Sequence, residues 1–274
     1  MTAMNIVCFG FGQVARNFIK KLNNDGVLFN LTTTSREETK IRKFENIDYQ
    51  SFHFAEKSFD KKFISKLEEA DHILLSIAPV NGVDIVIKNF QNYFKPKKLK
   101  WITYLSATSV YGNHSGQWVK ESSETKPTSP NGIERLKVEK DWMKLSDKFD
   151  LPFQIFRLSG IYSNQYNILT RLKSGEARII NKENHFFSRI HVEDIANILL
   201  KSLKCFKKKE IYNISDDKPA SAEDVAIHGS KLLGIDKPKD IEIDEIKSEM
   251  LKNFYKDSKK VSNKKMKEFF SLQL

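Results

Sequence analysis

The sequence predicts an α/β fold in which a doubly wound parallel sheet carries a small C-terminal lid. Apolar runs typical of strands alternate with stretches of helical periodicity through the first half of the chain. A glycine-containing turn separates the first of these strands from the first helix. With 274 residues and 40% hydrophobic content, the chain is long enough for one large domain with a small addition.

The first strand, turn and helix form a pattern that receives a dinucleotide pyrophosphate. The first glycine permits a tight turn, the second lets the backbone approach phosphates, and the helix N-terminus offers free N–H groups. A small residue at Ala15 lets helix and strand pack closely, and Phe18 and Leu22 continue one helical face. The predicted cofactor-binding residues of this turn are Gly10, Phe11, Gly12, Gln13 and Val14.

The later elements continue the alternation and define the predicted domains. Further strands are expected at 27–33, 72–78, 101–106, 153–158 and 210–214. An amphipathic helix follows Asp194, and another is capped by Ser221 and stopped by Gly234. We therefore predict a dinucleotide-binding domain over residues 1–161, completed by about 186–216, and a substrate-binding lid from 162–185 and 217–274.

The net charge of +11 raises the question of a nucleic-acid partner. Only eight of the 46 basic residues are arginine, and the lysines fall in scattered runs such as 95–100, 207–209 and 259–265. These runs lack interleaved aromatic residues for base stacking, so they indicate solvated faces. Nucleic-acid binding remains a distant alternative.

Other features point to a cytoplasmic protein without a metal. No apolar run approaches the length of a membrane helix, and the N-terminus leads into a strand instead of a signal peptide. The two cysteines and six histidines show no metal-ligand spacing. Motifs for acyl transfer or a P-loop are also absent from the sequence.

Four segments together resemble the extended short-chain dehydrogenase/reductase superfamily of nucleotide-sugar epimerases and dehydratases, and most closely an atypical branch of it. The resemblance implies a Rossmann sheet, a nicotinamide dinucleotide and a small-molecule substrate bound between the sheet and the lid. The segments, which together extend over nearly the whole chain, are the glycine turn, 105–112, 157–162, and 189–194 followed by 212–216.

The chain departs from this family where the resemblance places its Tyr-x-x-x-Lys pair. Asn131 stands at the tyrosine position and Arg135 at the lysine position. The family's tyrosine is a general acid or base, whereas Asn does not titrate and Arg stays charged at any working pH. Cofactor binding is expected to survive this change, with Asn131 and Arg135 as polar ligands of the substrate.

The third catalytic position of the family, a Ser or Thr, falls on Ala107, between Ser106 and Thr108. Either flanking hydroxyl is a candidate to orient a substrate carbonyl, and the alternative is that both only terminate the strand. Substitute acids open to the chain are Tyr111, Tyr162 and His114, and less so His191. Arg157 fits either a place beside the nicotinamide or a buried ion pair.

The end of the second strand indicates the cofactor. An NAD site expects an acidic residue there, but Ser35 and Arg36 follow the strand, and a guanidinium suits a 2′-phosphate. We therefore predict NADP over NAD, with an exposed or adenine-stacked Arg36 as the alternative. The residues that end the predicted strand over 72–78, Ile77, Ala78 and Pro79, are expected to line the cofactor.

The sequence thus favours an NADP-dependent oxidoreductase or epimerase/dehydratase-like protein acting on a small polar carbonyl or sugar-type substrate. The missing Tyr-Lys pair keeps a second hypothesis open, a non-catalytic NADP-binding sensor. The stretch 133–145 is expected to be a helix that either forms a homodimer or packs on its own sheet.

Overall fold

A computed structural model of the chain describes residues 3–180 and 182–273. Short 3₁₀ turns at Gln91–Tyr93, Thr108–Tyr111 and Ile243–Glu245 accompany its helices and strands. The strands are β1 (Met4–Phe9), β2 (Phe29–Ser35), β3 (Lys40–Phe44), β4 (Ile47–His53), β5 (His72–Leu75), β6 (Trp101–Ala107), β7 (Trp118–Val119), β8 (Phe153–Leu158), β9 (Gly160–Tyr162), β10 (Ile179–Ile180), β11 (Arg189–His191), β12 (Ile211–Ile214), β13 (Asp240–Ile241) and β14 (Lys260–Val261). The helices are α1 (Gln13–Asn24), α2 (Phe63–Glu69), α3 (Ile85–Phe90), α4 (Pro130–Phe149), α5 (Ile168–Lys173), α6 (Val192–Lys204), α7 (Ala222–Leu233), α8 (Glu249–Lys256) and α9 (Lys264–Phe270).

The large sheet confirms the predicted α/β class. Within the described residues it has eight strands in the order β12-β8-β6-β5-β1-β2-β4-β3. β1 pairs in parallel with both β2 and β5, and β5 pairs in parallel with β6. The chain builds outward from β1 on one side and then crosses to β5 on the other. The carboxyl ends of β1 and β5 therefore form the topological switch point, where such sheets bind ligands.

A β3–β4 hairpin closes one edge of this sheet, and the sequence reasoning missed it. β4 is parallel to β2, while β3 runs antiparallel to β4 at the edge. Its sequence Lys-Ile-Arg-Lys-Phe is mostly charged, and Ile41 is 77% exposed, so no buried face marks the strand. Charged edge strands of this kind resist pairing with other chains.

The predicted strand over 72–78 is shorter in the structure. β5 ends at Leu75, and the Ser76 N–H makes a last bond to the Phe9 carbonyl, 3.0 Å away. Beyond this bond the backbone that follows the neighbouring strand β1 turns away from the sheet at Gly10, where φ is +82°. Ile77, Ala78 and Pro79 therefore lie in a loop after the strand and not within it.

Apolar side chains at helical and strand spacing produce the core of the first of two compact units. This unit comprises the described residues up to Ser106, Ile133–Arg157 and Glu193–Tyr212. Trp142 of α4 stacks on Phe153 at 5.4 Å, and Phe90 of α3 packs against Phe9 of β1. Since Trp142 is fully buried, the apolar face of α4 packs on its own sheet, one of the two possibilities for this helix.

The second unit contains Ala107–Gly132, Leu158–Val192 and the described residues from Asn213 onward. Its parallel two-stranded pairs are β11 with β9, β14 with β7, and β10 with β13. This division differs from the predicted domains: the β7–β14 pair joins residues 107–132 to the later part of the chain, and an isolated bridge joins Phe187 to Ala220. α7 begins and ends as expected, with the Ser221 hydroxyl accepting from the Asp224 N–H and Gly234 at φ +65°.

Candidate functional site

The turn after β1 contains two glycines, and the structural role of glycine differs between the two positions. Gly10 adopts φ +82°, and a Cβ there would lie 3.2 Å from Cγ1 of Ile77. Its N–H donates to the Thr34 hydroxyl at 3.1 Å, which ties the turn to β2. Gly12 has φ −82°, and a Cβ there would meet nothing within 4 Å. Gly10 is therefore required by the turn itself, whereas Gly12 leaves open space in front of α1.

The amino end of α1 has no side chain closing it. Gly12 is the N-cap residue and makes no side-chain cap, and the first turn contains no acidic residue. Val14 and Ala15 are buried against the protein, while Gln13 is exposed. The free N–H groups and the positive end of the helix dipole suit a phosphate. The residues present fit the pyrophosphate of a dinucleotide.

Phe11, between the two glycines, fastens the turn to the β3–β4 hairpin. Its ring lies 5.0 Å from that of Tyr49 and 5.5 Å from that of Phe44. Arg16 donates from Nε to the Phe11 carbonyl at 3.0 Å and lies over both the Phe11 and Phe44 rings. The side chain of Phe11 faces the hairpin. The predicted contact between Phe11 and a cofactor therefore depends on the Phe11 backbone.

The end of β2 presents a cation without a neighbouring free acid. Arg36 is exposed, and among the described residues its guanidinium makes no hydrogen bond or ion pair. Glu37, the next residue, forms an ion pair with Arg42 at 2.5 Å. The Ser35 hydroxyl accepts from the Ser51 hydroxyl at 3.3 Å. The strand end therefore offers positive charge and a hydroxyl to an anion.

At the carboxyl end of β6, Ser106 belongs to a buried polar cluster. Its hydroxyl donates to Oε1 of Glu139 at 2.6 Å, and Nη2 of Arg157 donates to Oε2 of Glu139 at 2.7 Å. All three side chains are at least 96% buried. Arg157 therefore has the buried ion pair, one of its two predicted possibilities. Glu139 was missed, although it lies one helical turn after Arg135 in the sequence.

Arg135 also contacts β6, since its Nη1 donates to the Leu105 carbonyl at 3.0 Å. Arg135 is half-buried, and its positive charge is close enough to act on the phenol of Tyr104. Burial nevertheless dominates and raises the pKa of Tyr104 above its usual value. A guanidinium held at this strand end stabilises nearby anions but does not transfer protons.

In the second unit, Asn131 and Thr108 belong to segments that lie together. A Cβ on Gly132 would lie 2.7 Å from the Ser109 carbonyl oxygen and 2.8 Å from Cβ of Pro127. Glycine thus lets the first turn of α4 approach the 3₁₀ turn that begins at Thr108. Thr108 is half-buried and Asn131 is exposed.

Two of the predicted substitute acids have structural roles. Tyr111 is buried and donates its phenol to Oδ1 of Asn213 at 2.7 Å. His114 contacts the carbonyls of Tyr111 and Glu124 through Nε2 at 3.1 and 3.2 Å. Tyr162, by contrast, is 36% exposed and pairs in register with His191, whose ring lies 5.1 Å away.

A family model decides the identity of the fold. The model of the NAD dependent epimerase/dehydratase family matches residues 10–215, which include the glycine turn, β6 and α4. The chain belongs to this family. Family membership and fold together support an enzyme that uses a nicotinamide dinucleotide. The predicted resemblance to extended epimerases and dehydratases is confirmed.

Solved structures of similar fold agree with the family. A functionally unknown conserved protein from Silicibacter pomeroyi DSS is 29% identical, with a TM-score of 0.85 over 100% of this chain and 94% of that one. UDP-glucuronic acid 4-epimerase from Bacillus cereus, in complex with NAD, is 17% identical with a TM-score of 0.77 over 98% and 92%. dTDP-glucose 4,6-dehydratase from Bacillus anthracis, also with NAD, is 16% identical with a TM-score of 0.76 over 99% and 91%. No curated protein matches the chain.

Within residues 3–180 and 182–273, no group of three or more His, Cys, Asp or Glu side chains is placed to hold a metal ion. No helix in the same part of the chain is long and apolar enough to span a membrane.

Proposed function

We propose that this family member binds NADP in preference to NAD and acts on a small polar carbonyl or sugar-type substrate by oxidoreduction, epimerisation or dehydration. The observation that carries the proposal is the open amino end of α1 at the switch point of the sheet. Gly12 leaves open space there, and the helix has no side-chain cap. Family membership supports the cofactor class.

In this proposal the first unit holds the cofactor. The N–H groups of Gly12, Gln13 and Val14 bind the pyrophosphate, helped by the dipole of α1. Ser35 and Arg36 bind the 2′-phosphate, and the loop 77–79 lies against the turn through Ile77. When bound, the nicotinamide ring supplies a hydride acceptor or donor.

The cofactor preference rests on Arg36 and is tested by titrating NADPH and NADH. A charge-assisted bond contributes roughly 1.5 to 3 kcal/mol, so we expect Arg36→Ala to lower the NADPH-to-NADH affinity ratio by about ten- to a hundredfold. Lys43→Ala, which removes an exposed charge from β3, is the matched control and should leave the ratio unchanged. The solved epimerase and dehydratase contain NAD. A ratio that Arg36→Ala does not change would overturn the NADP assignment.

For the substrate, we propose Thr108, Asn131 and Arg135 as polar ligands, with Thr108 favoured over Ser106. A hydroxyl has one proton, and that of Ser106 is donated to Glu139. Ser106 can then accept a hydrogen bond but not donate one to a substrate carbonyl. Thr108→Ala should therefore reduce turnover without changing NADPH affinity. Ser106→Ala should act mainly on stability.

A sensor that binds NADP without catalysis is the second candidate. This candidate is favoured by the buried hydrogen bond of the Tyr111 phenol to Asn213. It is also favoured by the absence of the Tyr-Lys pair, whose positions are taken by Asn131 and Arg135. A panel of carbonyl compounds and nucleotide sugars separates the two, with NADPH consumption and epimer formation both measured. Turnover of any member supports the enzyme. Tight NADPH binding with no turnover throughout the panel supports the sensor.

A further inference from the structure

Arg36 lies in a loop whose backbone is held by one histidine of the first unit. The loop consists of residues 36–39, which connect β2 to β3, and we call it the Arg36 loop. The histidine is His53, the last residue of β4, and it lies opposite Ser35 in the parallel β2–β4 pair. Because the two strands end side by side, the residue that closes β4 adjoins the loop that leaves β2.

The His53 ring contacts the backbone of the Arg36 loop directly. Its Nδ1 atom lies 3.1 Å from the Arg36 carbonyl oxygen and 3.3 Å from the Glu37 carbonyl oxygen. Its Nε2 atom lies 2.8 Å from the Ser58 hydroxyl oxygen. Because a carbonyl oxygen can only accept a hydrogen bond, Nδ1 carries a proton and donates it to the loop. In the neutral ring Nε2 then accepts from Ser58, so both ring nitrogens have a partner.

The other end of the Arg36 loop is held by the backbone of the same histidine. The His53 N–H donates to the Thr39 hydroxyl oxygen at 3.0 Å. Hydrogen bonds from the Lys62 N–H and then from the Thr39 hydroxyl lower the pKa of the Asp60 carboxyl. His53 therefore holds the first residue of the loop through its ring and the last residue through its main chain.

These contacts fix the backbone of Arg36 and leave its side chain in solvent. The Arg36 side chain is exposed, whereas the neighbouring Glu37 is held towards β3 by its ion pair with Arg42. Binding an anion costs conformational entropy, and a loop that is already fixed adds little to this cost. A positioned backbone therefore raises the affinity of the guanidinium for a phosphate group, although His53 does not itself contact the phosphate.

The strand pairing itself does not use the ring of His53. At this point β2 and β4 are joined by backbone bonds, such as that from the Phe54 N–H to the Ser35 carbonyl at 2.7 Å, which other residues at position 53 preserve. We propose that His53 is a positioning residue for the cofactor preference, because its Nδ1–H fixes the Arg36 loop so that the guanidinium meets the 2′-phosphate of NADP. This inference rests on the proposed function, since His53 acts through Arg36.

Titration of the full chain with NADPH and with NADH tests this inference. We expect His53→Ala to lower the NADPH-to-NADH affinity ratio about three- to tenfold, the effect of one neutral hydrogen bond, and to leave NADH affinity unchanged. His53→Asn returns an N–H donor near the place of Nδ1 and should restore the ratio. His53→Gln carries its amide nearer to the place of Nε2, so it should behave like His53→Ala. The matched control is His228→Ala, which removes an exposed histidine of the second unit and should not change the ratio.

The cofactor-free protein supplies a second readout, the rate at which trypsin cleaves after Arg36. Cleavage requires local opening of the loop, and contacts that hold the loop make this opening rarer. We expect faster cleavage in His53→Ala and His53→Gln than in wild type, and the wild-type rate in His53→Asn. Circular dichroism should be the same in every variant, because the strand pairing is preserved. Equal cleavage rates in His53→Ala and wild type would show that the ring does not fix the loop, and would overturn the proposal.

The double variant Arg36→Ala, His53→Ala separates this inference from the cofactor assignment. If His53 acts through Arg36, its removal does not change the ratio further once Arg36 is alanine. The same effect of His53→Ala in both backgrounds would make His53 a direct ligand and overturn the positioning role, and an equal loss of NADPH and NADH affinity would leave it a structural residue only. A ratio that Arg36→Ala lowers and His53→Ala does not would overturn this inference alone. A ratio that neither variant changes would overturn the NADP assignment with it.

Discussion

Glu139 is the residue on which the polar interior of the first unit depends. It accepts from the Ser106 hydroxyl and from two nitrogens of Arg157. Removing one partner of a buried ion pair costs about 3 to 5 kcal/mol, because the remaining charge loses its compensation. Its hydrogen bond to Ser106 is charge-assisted, so it too contributes more than a neutral one.

We therefore expect Glu139→Ala to lower the free energy of unfolding by about 3 kcal/mol and Ser106→Ala by about 1 to 2 kcal/mol. Urea denaturation followed by circular dichroism measures both. A Glu139→Ala variant as stable as wild type would show that this cluster contributes nothing net. Lys140→Ala, an exposed neighbour on the same helix, serves as the control with little expected effect.

The direction of a side chain at a strand end is what spacing alone did not reveal. The sequence placed Ser106 and Thr108 on either side of Ala107, with both hydroxyls as candidates. Which of them points into the protein depends on where β6 leaves the sheet and on a carboxylate from α4. Glu139 is more than 30 positions away from Ser106, so no local pattern reports their contact.

At the scale of elements, the β1–α1 unit separates two requirements that a glycine motif combines. Gly10 is required by its backbone, because φ +82° is costly for other residues and a Cβ would crowd Ile77. Gly12 has an ordinary φ and open space around its Cα. No steric contact within the protein requires glycine at position 12.

We expect Gly10→Ala to destabilise the fold by roughly 1 to 2 kcal/mol, the cost of the left-handed backbone. Gly12→Ala should lower the unfolding free energy by no more than about 1 kcal/mol, the difference between glycine and alanine at an N-cap. It should nevertheless weaken NADPH binding at least tenfold, since its methyl group occupies the phosphate position. Thermal unfolding and NADPH titration of both variants check this contrast. Equal NADPH affinity in Gly12→Ala and wild type would exclude the turn as the phosphate site.

Elements whose apolar residues repeat at regular spacing were predicted well, and the others were not. α1, β6 and β8 bury the faces that their sequences indicate. The β3–β4 hairpin was not predicted. Its edge strand β3 buries little, and the charged residues of β3 resemble those of a loop. The pairs β7 with β14 and β10 with β13 were not predicted either, because strands of two residues are too short to show a hydrophobic period.

For the molecule as a whole, acid stability should depend on His185. It is 97% buried in the second unit, where its ring stacks on Tyr255 at 5.1 Å. Burial, followed by the nearby charge of Lys182, lowers the pKa of His185 from 6.5 to about 4. The unfolded chain takes up a proton at His185 as the pH falls below about 6.5, while the folded chain does not. Stability is therefore lost between pH 6.5 and 4.

A pKa difference of this size corresponds to a loss of roughly 2 to 3 kcal/mol by pH 4. We expect His185→Phe, which keeps an aromatic ring against Tyr255, to lose less stability over this range than wild type. Urea unfolding at pH 7.5, 5.5 and 4.5 measures the difference. Parallel pH dependences of the two proteins would assign the acid sensitivity to carboxylates. His228→Phe, which changes an exposed histidine on α7, is the control.

The overall architecture was accessible from sequence because it depends on many weak signals that agree. The alternation of strands and helices, the glycine turn and the segments around Leu105 and Arg157 all indicate one fold, and the family model confirms it. The boundaries of the two compact units depend instead on short pairings between distant segments. Those pairings leave little trace in local composition.

The attachment of Phe11 to the β3–β4 hairpin has a consequence for how this protein can evolve. The conformation of the glycine turn depends on Phe44 and Tyr49, which lie more than 30 positions further along the chain. Substitutions in the hairpin therefore reach the turn without altering any residue that touches a cofactor. A change of cofactor affinity can therefore begin with substitutions in the β3–β4 hairpin, which lies at the sheet edge and is less constrained by core packing. Such a change leaves the glycine motif itself intact.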